Sequence, residues 1–187
     1  KVAGIFCTFT PVEVLDAAGI FSVGLCGMSD ETIVDAEADL PKNLCPLIKS
    51  SYGFALTEKC PYTYFSDIII GESTCDGKKK MYELLGEIKD TYVMHLPQGI
   101  DRDYSHKMWE SELYRLIKTL EEKFNVKITE DKLRKAAVRR NKQRQLYNEL
   151  FELGKLDPPP IKGFDVYKVI EGSGFSFDLE ESCMKLR

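Results

Sequence analysis

At 187 residues, with 43% hydrophobic and 11% aromatic side chains, the chain is long enough to bury a real core and reads as one globular domain or a little more, not as a disordered tail. A formal charge of −4 argues against a dedicated nucleic-acid binder, which normally carries a clear excess of Lys and Arg. No apolar run approaches the roughly 20 residues that span a bilayer, and residues 1–7 lack a signal-peptide core with its cleavage site, so the expected location is cytoplasmic, with no membrane partner.

In chain order, residues 2–6, 21–25, 67–71 and 92–96 are short apolar runs, each followed by turn-forming or helix-starting residues. They predict buried parallel strands. Helix-like stretches at 12–18, 31–39, 46–56 and 78–88 lie between them. That alternation specifies an α/β fold, a doubly wound and mainly parallel sheet with helices on both faces, over residues 1–100. From about Asp101 the pattern changes. Trp109, Leu113, Leu116, Ile117, Leu120 and Phe124 recur at three- and four-residue intervals and predict a helix with one apolar stripe. After a turn at 125–128, Thr129 is a good N-cap with Glu130 and Asp131 in the favoured first turn. The second long helix this starts runs to about Leu153, where Gly154 and Pro158-Pro159-Pro160 stop it. Residues 101–187 are therefore expected to form a helical hairpin and connector that packs beside the sheet or leads into a second domain. The chain starts at Lys1 without Met, on a strand-like segment, and Leu179, Cys183 and Leu186 keep helical spacing to its end. The natural polypeptide is expected to continue, with this chain as its amino-terminal part.

Six cysteines in a chain with this much core fit reduced thiols better than a disulfide scaffold, which is usually much smaller. Cys7, Cys26 and Cys75 fall at or just beyond the carboxyl ends of predicted strands, the edge at which open α/β sheets bind ligands. Cys75 also begins a predicted helix, whose dipole and free N–H groups stabilise a thiolate. Cys45, Cys60 and Cys75 stand fifteen residues apart twice, each beside a backbone-constraining neighbour: Cys45-Pro46, Cys60-Pro61 and Cys75-Asp76-Gly77. The spacing is too wide for a ferredoxin run or a zinc finger, and small core thiols are the competing reading.

The residues around these cysteines are more specific than their spacing. Asn43 through Cys45-Pro46 and Ser50-Ser51-Tyr52-Gly53, then Lys59-Cys60-Pro61-Tyr62, then Gly71-Glu72-Ser73-Thr74-Cys75-Asp76-Gly77-Lys78-Lys79-Lys80, closely resemble the 2-hydroxyacyl-CoA dehydratase and benzoyl-CoA reductase superfamily. The opening stretch from Cys7 through Thr10-Pro11-Val12-Glu13 to Ala17-Ala18-Gly19, then Val23-Gly24-Leu25-Cys26, resembles the same family. So do His95-Leu96-Pro97 and the segment from Gly154 to Asp157-Pro158-Pro159-Pro160, and the likeness covers nearly the whole chain. The resemblance implies that Cys45 and Cys75 bind a [4Fe-4S] cluster, with a further ligand from a later domain. Cys60 departs from the simple dehydratase pattern and resembles the double-cubane reductase branch, in which Cys45, Cys60 and Cys75 would together serve an [8Fe-9S] cluster. If Cys60 is only a core thiol, the single-cluster reading returns.

The family's chemistry is the expectation that follows: one-electron dehydration of a 2-hydroxyacyl-CoA through a ketyl radical, or reduction of small unsaturated molecules. Implied partners are a separate ATP-hydrolysing iron-sulfur activator, a like or related subunit in a dimer, and a CoA thioester. The chain carries no Gly-x-x-x-x-Gly-Lys-Ser/Thr phosphate loop, consistent with ATP being hydrolysed by a partner. The competing class is a non-catalytic domain that binds zinc or a cluster only for stability. Lys78-Lys79-Lys80, just after Cys75, would favour a reduced, anionic cluster. Ser50, Ser51, Thr8 and Thr10 lie near the expected site but serve equally well as helix and turn caps, and His95, near a strand end, is read as an ordinary structural or surface histidine rather than one facing the cluster cavity. The basic run Lys132, Arg134, Lys135, Arg139, Arg140, Lys142 and Arg144 is read as a solvated helix face rather than a contact for CoA phosphates or an activator.

Overall fold

Four short strands, β1 (Val2–Ile5), β2 (Phe21–Gly24), β3 (Ile68–Glu72) and β4 (Thr91–Met94), form one all-parallel sheet in the order β2-β1-β3-β4. The structure is a computed structural model and describes residues 1–176 and 178–186. The register pairs Ile5 with Gly24 on one side and with Ile70 on the other, and Glu72 with Met94. Strand order reverses between β1 and β3, so their carboxyl ends splay from a topological switch point, where α/β sheets open a ligand crevice.

β3 shows why both faces must be covered. Ile68 and Ile70 point into one core and Ile69 into the other, all at 1% exposure or less, as a period of two requires. Burial of each contributes about 1.5–3 kcal/mol. The first face is closed by α1 (Val12–Ala18), α6 (Ser105–Phe124) and α7 (Glu130–Leu153), which bring Leu15, Leu116, Leu120 and Ala136 against Ala3, Ile68 and Ile70. The second is closed by α2 (Ile33–Ala36), α3 (Pro46–Leu56) and α5 (Asp76–Ile88) through Ala36, Ile48, Tyr52, Met81, Tyr82 and Leu85. The expected doubly wound α/β architecture is present. α5 lies close enough to β3 that a Cβ on Gly71 would sit 2.5 Å from the Tyr82 ring.

The predicted helices at 12–18 and 46–56 have those bounds, and Thr129 caps α7 with its hydroxyl accepting from the Lys132 N–H. The 31–39 stretch narrows to the single turn α2. Two helices are additional to the expected set: α4 (Pro61–Phe65), and α8 (Gly163–Ser173), none of whose described residues is buried. The helical spacing near the end forms α9 (Leu179–Lys185), while Arg187 lies outside the described residues.

The basic run on α7 is mostly the solvated face expected of it, with Arg140 the exception. Arg140 grips Asp16 of α1 with both Nε and an Nη, at 2.6 and 2.7 Å, with both side chains mostly buried, and Arg144 bonds Glu13 one turn away. Bidentate pairing fixes orientation as well as distance, so these two arginines latch α7 across α1. Lys135 and Arg134 pair along α7 itself, with Asp131 and Glu130. Among the described residues no helix is long and apolar enough to cross a membrane.

Candidate functional site

The carboxyl edge of the sheet collects four of the six cysteines. Cys7 follows β1 in a left-handed backbone conformation (φ 60°), uncommon for a residue other than Gly, Asn or Asp. Its loop is pinned to the switch point by Thr10, whose N–H and hydroxyl both donate to Glu72 Oε1 at the end of β3, the hydroxyl at 2.8 Å. Glu72 is fully buried and its Oε2 has no partner among the described residues. Cys26 follows β2, and the next residue, Gly27, donates its N–H to Ser51 Oγ on α3 at 2.9 Å.

Cys45 and Cys75 are the N-cap residues of α3 and α5, with extended or near-extended backbones. Neither sulfur makes a capping hydrogen bond, and both residues are exposed. The two helix starts meet: a Cβ on Gly77 would lie 2.7 Å from Ile48 and 3.0 Å from Leu44, the neighbours of Cys45. Both thiols therefore sit at helix starts on the same edge, with sulfurs not spent on a cap.

Cys60 is placed elsewhere. It is the N-cap of α4, and its sulfur accepts from the Thr63 N–H at 3.5 Å. It lines a cavity of about 360 Å³ with Phe54 and Ala55 near the end of α3 and with Ile88 and Lys89 at the end of α5. α3 and α5 run side by side from a common start, so the thirteen residues of α5, roughly 20 Å at ~1.5 Å per residue, separate Cys60 from Cys75. The structure brings together the helix starts that carry Cys45 and Cys75, places Cys7 and Cys26 on the same edge, and leaves Cys60 at the far end. Cys183 is buried in α9, away from this edge. Among the described residues no three Cys, His, Asp or Glu side chains are already gathered tightly enough to hold a metal ion.

Of the three lysines after Cys75, only Lys78 turns inward. It is 8% exposed and its ammonium donates to Cys7 Sγ, while Lys79 and Lys80 stay on the surface with Asp76 and Glu83. Burial pulls the Lys78 pKa down, but the bond to Cys7 and the negative potential of Cys7, Cys26 and Cys75 outweigh it and hold the ammonium above its ordinary value. The inward turn has a signature: Lys78 precedes Met81, Tyr82 and Leu85 by three, four and seven positions, on the buried stripe of α5. Burial likewise pushes the Tyr82 hydroxyl far above the usual phenol range, with the charge of nearby Cys7 adding to it.

The other expected site residues serve the scaffold. Ser50 Oγ donates to the Ser29 carbonyl, Ser51 Oγ to the Leu47 carbonyl, and Thr10 to Glu72. Thr8 and His95 are exposed, and the His95 backbone N–H donates to Glu112. Beside the Cys7 loop an apolar cavity of about 370 Å³ is lined by Phe9, Leu96, Pro97, Ile100, His106 and Trp109.

The family described as 2-hydroxyglutaryl-CoA dehydratase, D-component, matches residues 7–187. The chain is 52% identical over 179 residues to YjiM of Escherichia coli (strain K12), which is named as part of a dehydratase, and the match takes in 96% of this chain and 47% of that protein. It is 25% identical over 191 residues to a benzoyl-CoA reductase subunit of Thauera aromatica, covering 100% of this chain and 48% of that protein. The (R)-phenyllactyl-CoA dehydratase beta subunit of Clostridium sporogenes is 27% identical over 193 residues, with 100% of this chain and 50% of that protein covered. The chain thus spans about half the length of these relatives.

Proposed function

This chain belongs to the 2-hydroxyglutaryl-CoA dehydratase D-component family, and on that premise we propose that it is the cluster-holding part of an iron-sulfur enzyme subunit that performs low-potential one-electron chemistry. The observation that carries the reading is the contact between two helix starts that each present an uncapped thiol, Cys45 and Cys75, at the carboxyl edge of the sheet near a buried ammonium. The donor set fits the group: thiolates hold iron-sulfur clusters, and a cationic neighbour suits an anionic one. A [4Fe-4S] or double-cubane [8Fe-9S] cluster bound there would supply single electrons at low potential.

The residues divide the remaining work. Cys45 and Cys75 bind, Lys78 offsets negative charge, and Glu72 with Thr10 fixes the loop that carries Cys7. The apolar cavity from Phe9 to Trp109 would take the acyl part of a CoA thioester, dehydrated at its 2-hydroxyl or reduced, and shield it from water. With no phosphate loop in this chain, the proposed electron donor is a separate ATP-hydrolysing iron-sulfur activator, and the rest of the enzyme is a like or related subunit. The test is iron and acid-labile sulfide per chain, with an EPR spectrum, on the full-length protein purified without oxygen. About four of each is expected for one cubane and about eight for a double cubane, whereas no iron overturns the reading.

A further inference from the structure

We propose that Cys7 is a further thiolate ligand of that cluster, beside Cys75, with Lys78 as its charge-compensating partner, and that Cys60 is not a ligand. The inference rests on the cluster reading above and assigns one more of its ligands. Each iron of a cubane needs a terminal ligand, and the carboxyl edge offers thiols beyond Cys45 and Cys75. β1 and β3 are neighbours at the switch point, and the latch of Thr10 on Glu72 holds the Cys7 loop against the end of β3. Cys7 Sγ stands 3.5 Å from the hydroxyl of Thr74, the residue before Cys75.

Lys78 supplies the independent observation. Two lysines in the described residues are buried, and they differ in their partners. Lys49, at 5% exposure, bonds the Glu37 carboxylate at 2.7 Å and the Lys42 carbonyl. Lys78, at 8%, bonds no carboxylate, and its hydrogen bond runs to Cys7 Sγ. A buried ammonium is costly unless an anion faces it, and here it faces the Phe6 ring, 5.8 Å from its centroid, and the thiol it is hydrogen-bonded to. When Cys7 ligates iron, the S–H proton leaves to solvent, the iron–sulfur bond forms, and the thiolate provides the anion opposite Lys78. Cys26, at the same edge but exposed, has no such bond. Cys60 already uses its sulfur to cap α4, at the other end of α5.

The experiment uses the full-length protein purified without oxygen, alkylated with iodoacetamide before and after iron is stripped by a chelator, with each cysteine followed by peptide mass spectrometry. Cys7 and Cys45 are expected to react at least about tenfold more slowly when iron is bound, and Cys60 at the same rate in both states. Equal rates for Cys7, whether fast or slow, with Cys45 protected, overturn this inference alone. Equal rates for Cys45 as well would remove the cluster reading beneath it. In parallel, Cys7→Ala should lose iron and sulfide or change the EPR spectrum, and a variant matching the parent in all three overturns the proposal.

Discussion

α3 and α5 lie side by side, and their two ends treat cysteine in opposite ways. At the starts of both helices the N-capping sulfurs of Cys45 and Cys75 make no capping bond and lie exposed, near a buried lysine. At the far end Cys60 also occupies an N-cap, but its sulfur is spent on the Thr63 N–H. The same residue type at the same helix position is thus structural at one end and available at the other. A free thiol at a positive helix end is a weak cap and a good ligand, so leaving it uncapped sacrifices local stability for chemistry.

Several substitutions sharpen that contrast. The largest effect is expected at Lys78: Lys78→Met should lower the cluster reduction potential by on the order of 100 mV, what a unit charge several ångströms away gives at an effective dielectric constant of about 20, read by redox titration followed by EPR. An unchanged potential would break the link between the buried ammonium and the site. Next, Gly53→Ala should destabilise the protein by about 2 kcal/mol in denaturant unfolding. A Cβ there would lie 2.1 Å from the Thr32 backbone carbonyl, and that overpacking exceeds the helix-propensity gain of about 1 kcal/mol. Because Gly53 lets α2 approach the middle of α3, the variant also tests whether a displaced α3 disturbs iron content.

Smaller effects separate the caps. Cys60→Ala should cost up to about 1 kcal/mol through loss of the sulfur cap, with iron content unchanged. Cys75→Ser should do the reverse, raising the stability of the metal-free protein by about 0.5–1 kcal/mol because serine is a preferred N-cap, while iron is lost. The smallest is Lys80→Gln, expected to leave the reduction potential and the unfolding midpoint where they are, since its pair with Glu83 is exposed and screened by water.

Much of this was legible in the sequence. The four apolar runs and their intervening helices predict the sheet within a residue or two, because buried parallel strands carry a continuous apolar signature. α4 and α8 escaped for different reasons. Pro61-Tyr62-Thr63-Tyr64-Phe65 is only five residues long and rich in aromatic and β-branched types, and α8 buries no side chain, so no core-facing stripe marks it. The carboxyl-end rule placed Cys7, Cys26 and Cys75 at the ligand edge, where the structure has them. The equal spacing of Cys45, Cys60 and Cys75 did not reveal that α3 carries the chain away from that edge before Cys60, since spacing says nothing about direction. Lys78 was distinguishable from Lys79 and Lys80 only by its place on the α5 stripe, and the α7 arginines by having Glu13 and Asp16 one turn apart to grip.

The most direct test of the contrast is iron and sulfide content, per chain, of full-length Cys45→Ala and Cys60→Ala variants purified side by side without oxygen. The account predicts that Cys45→Ala is nearly iron-free while Cys60→Ala keeps the parent's iron, sulfide and EPR spectrum. A Cys60→Ala variant that loses its iron while Cys45→Ala retains it would contradict the account and move the cluster to the other end of α5.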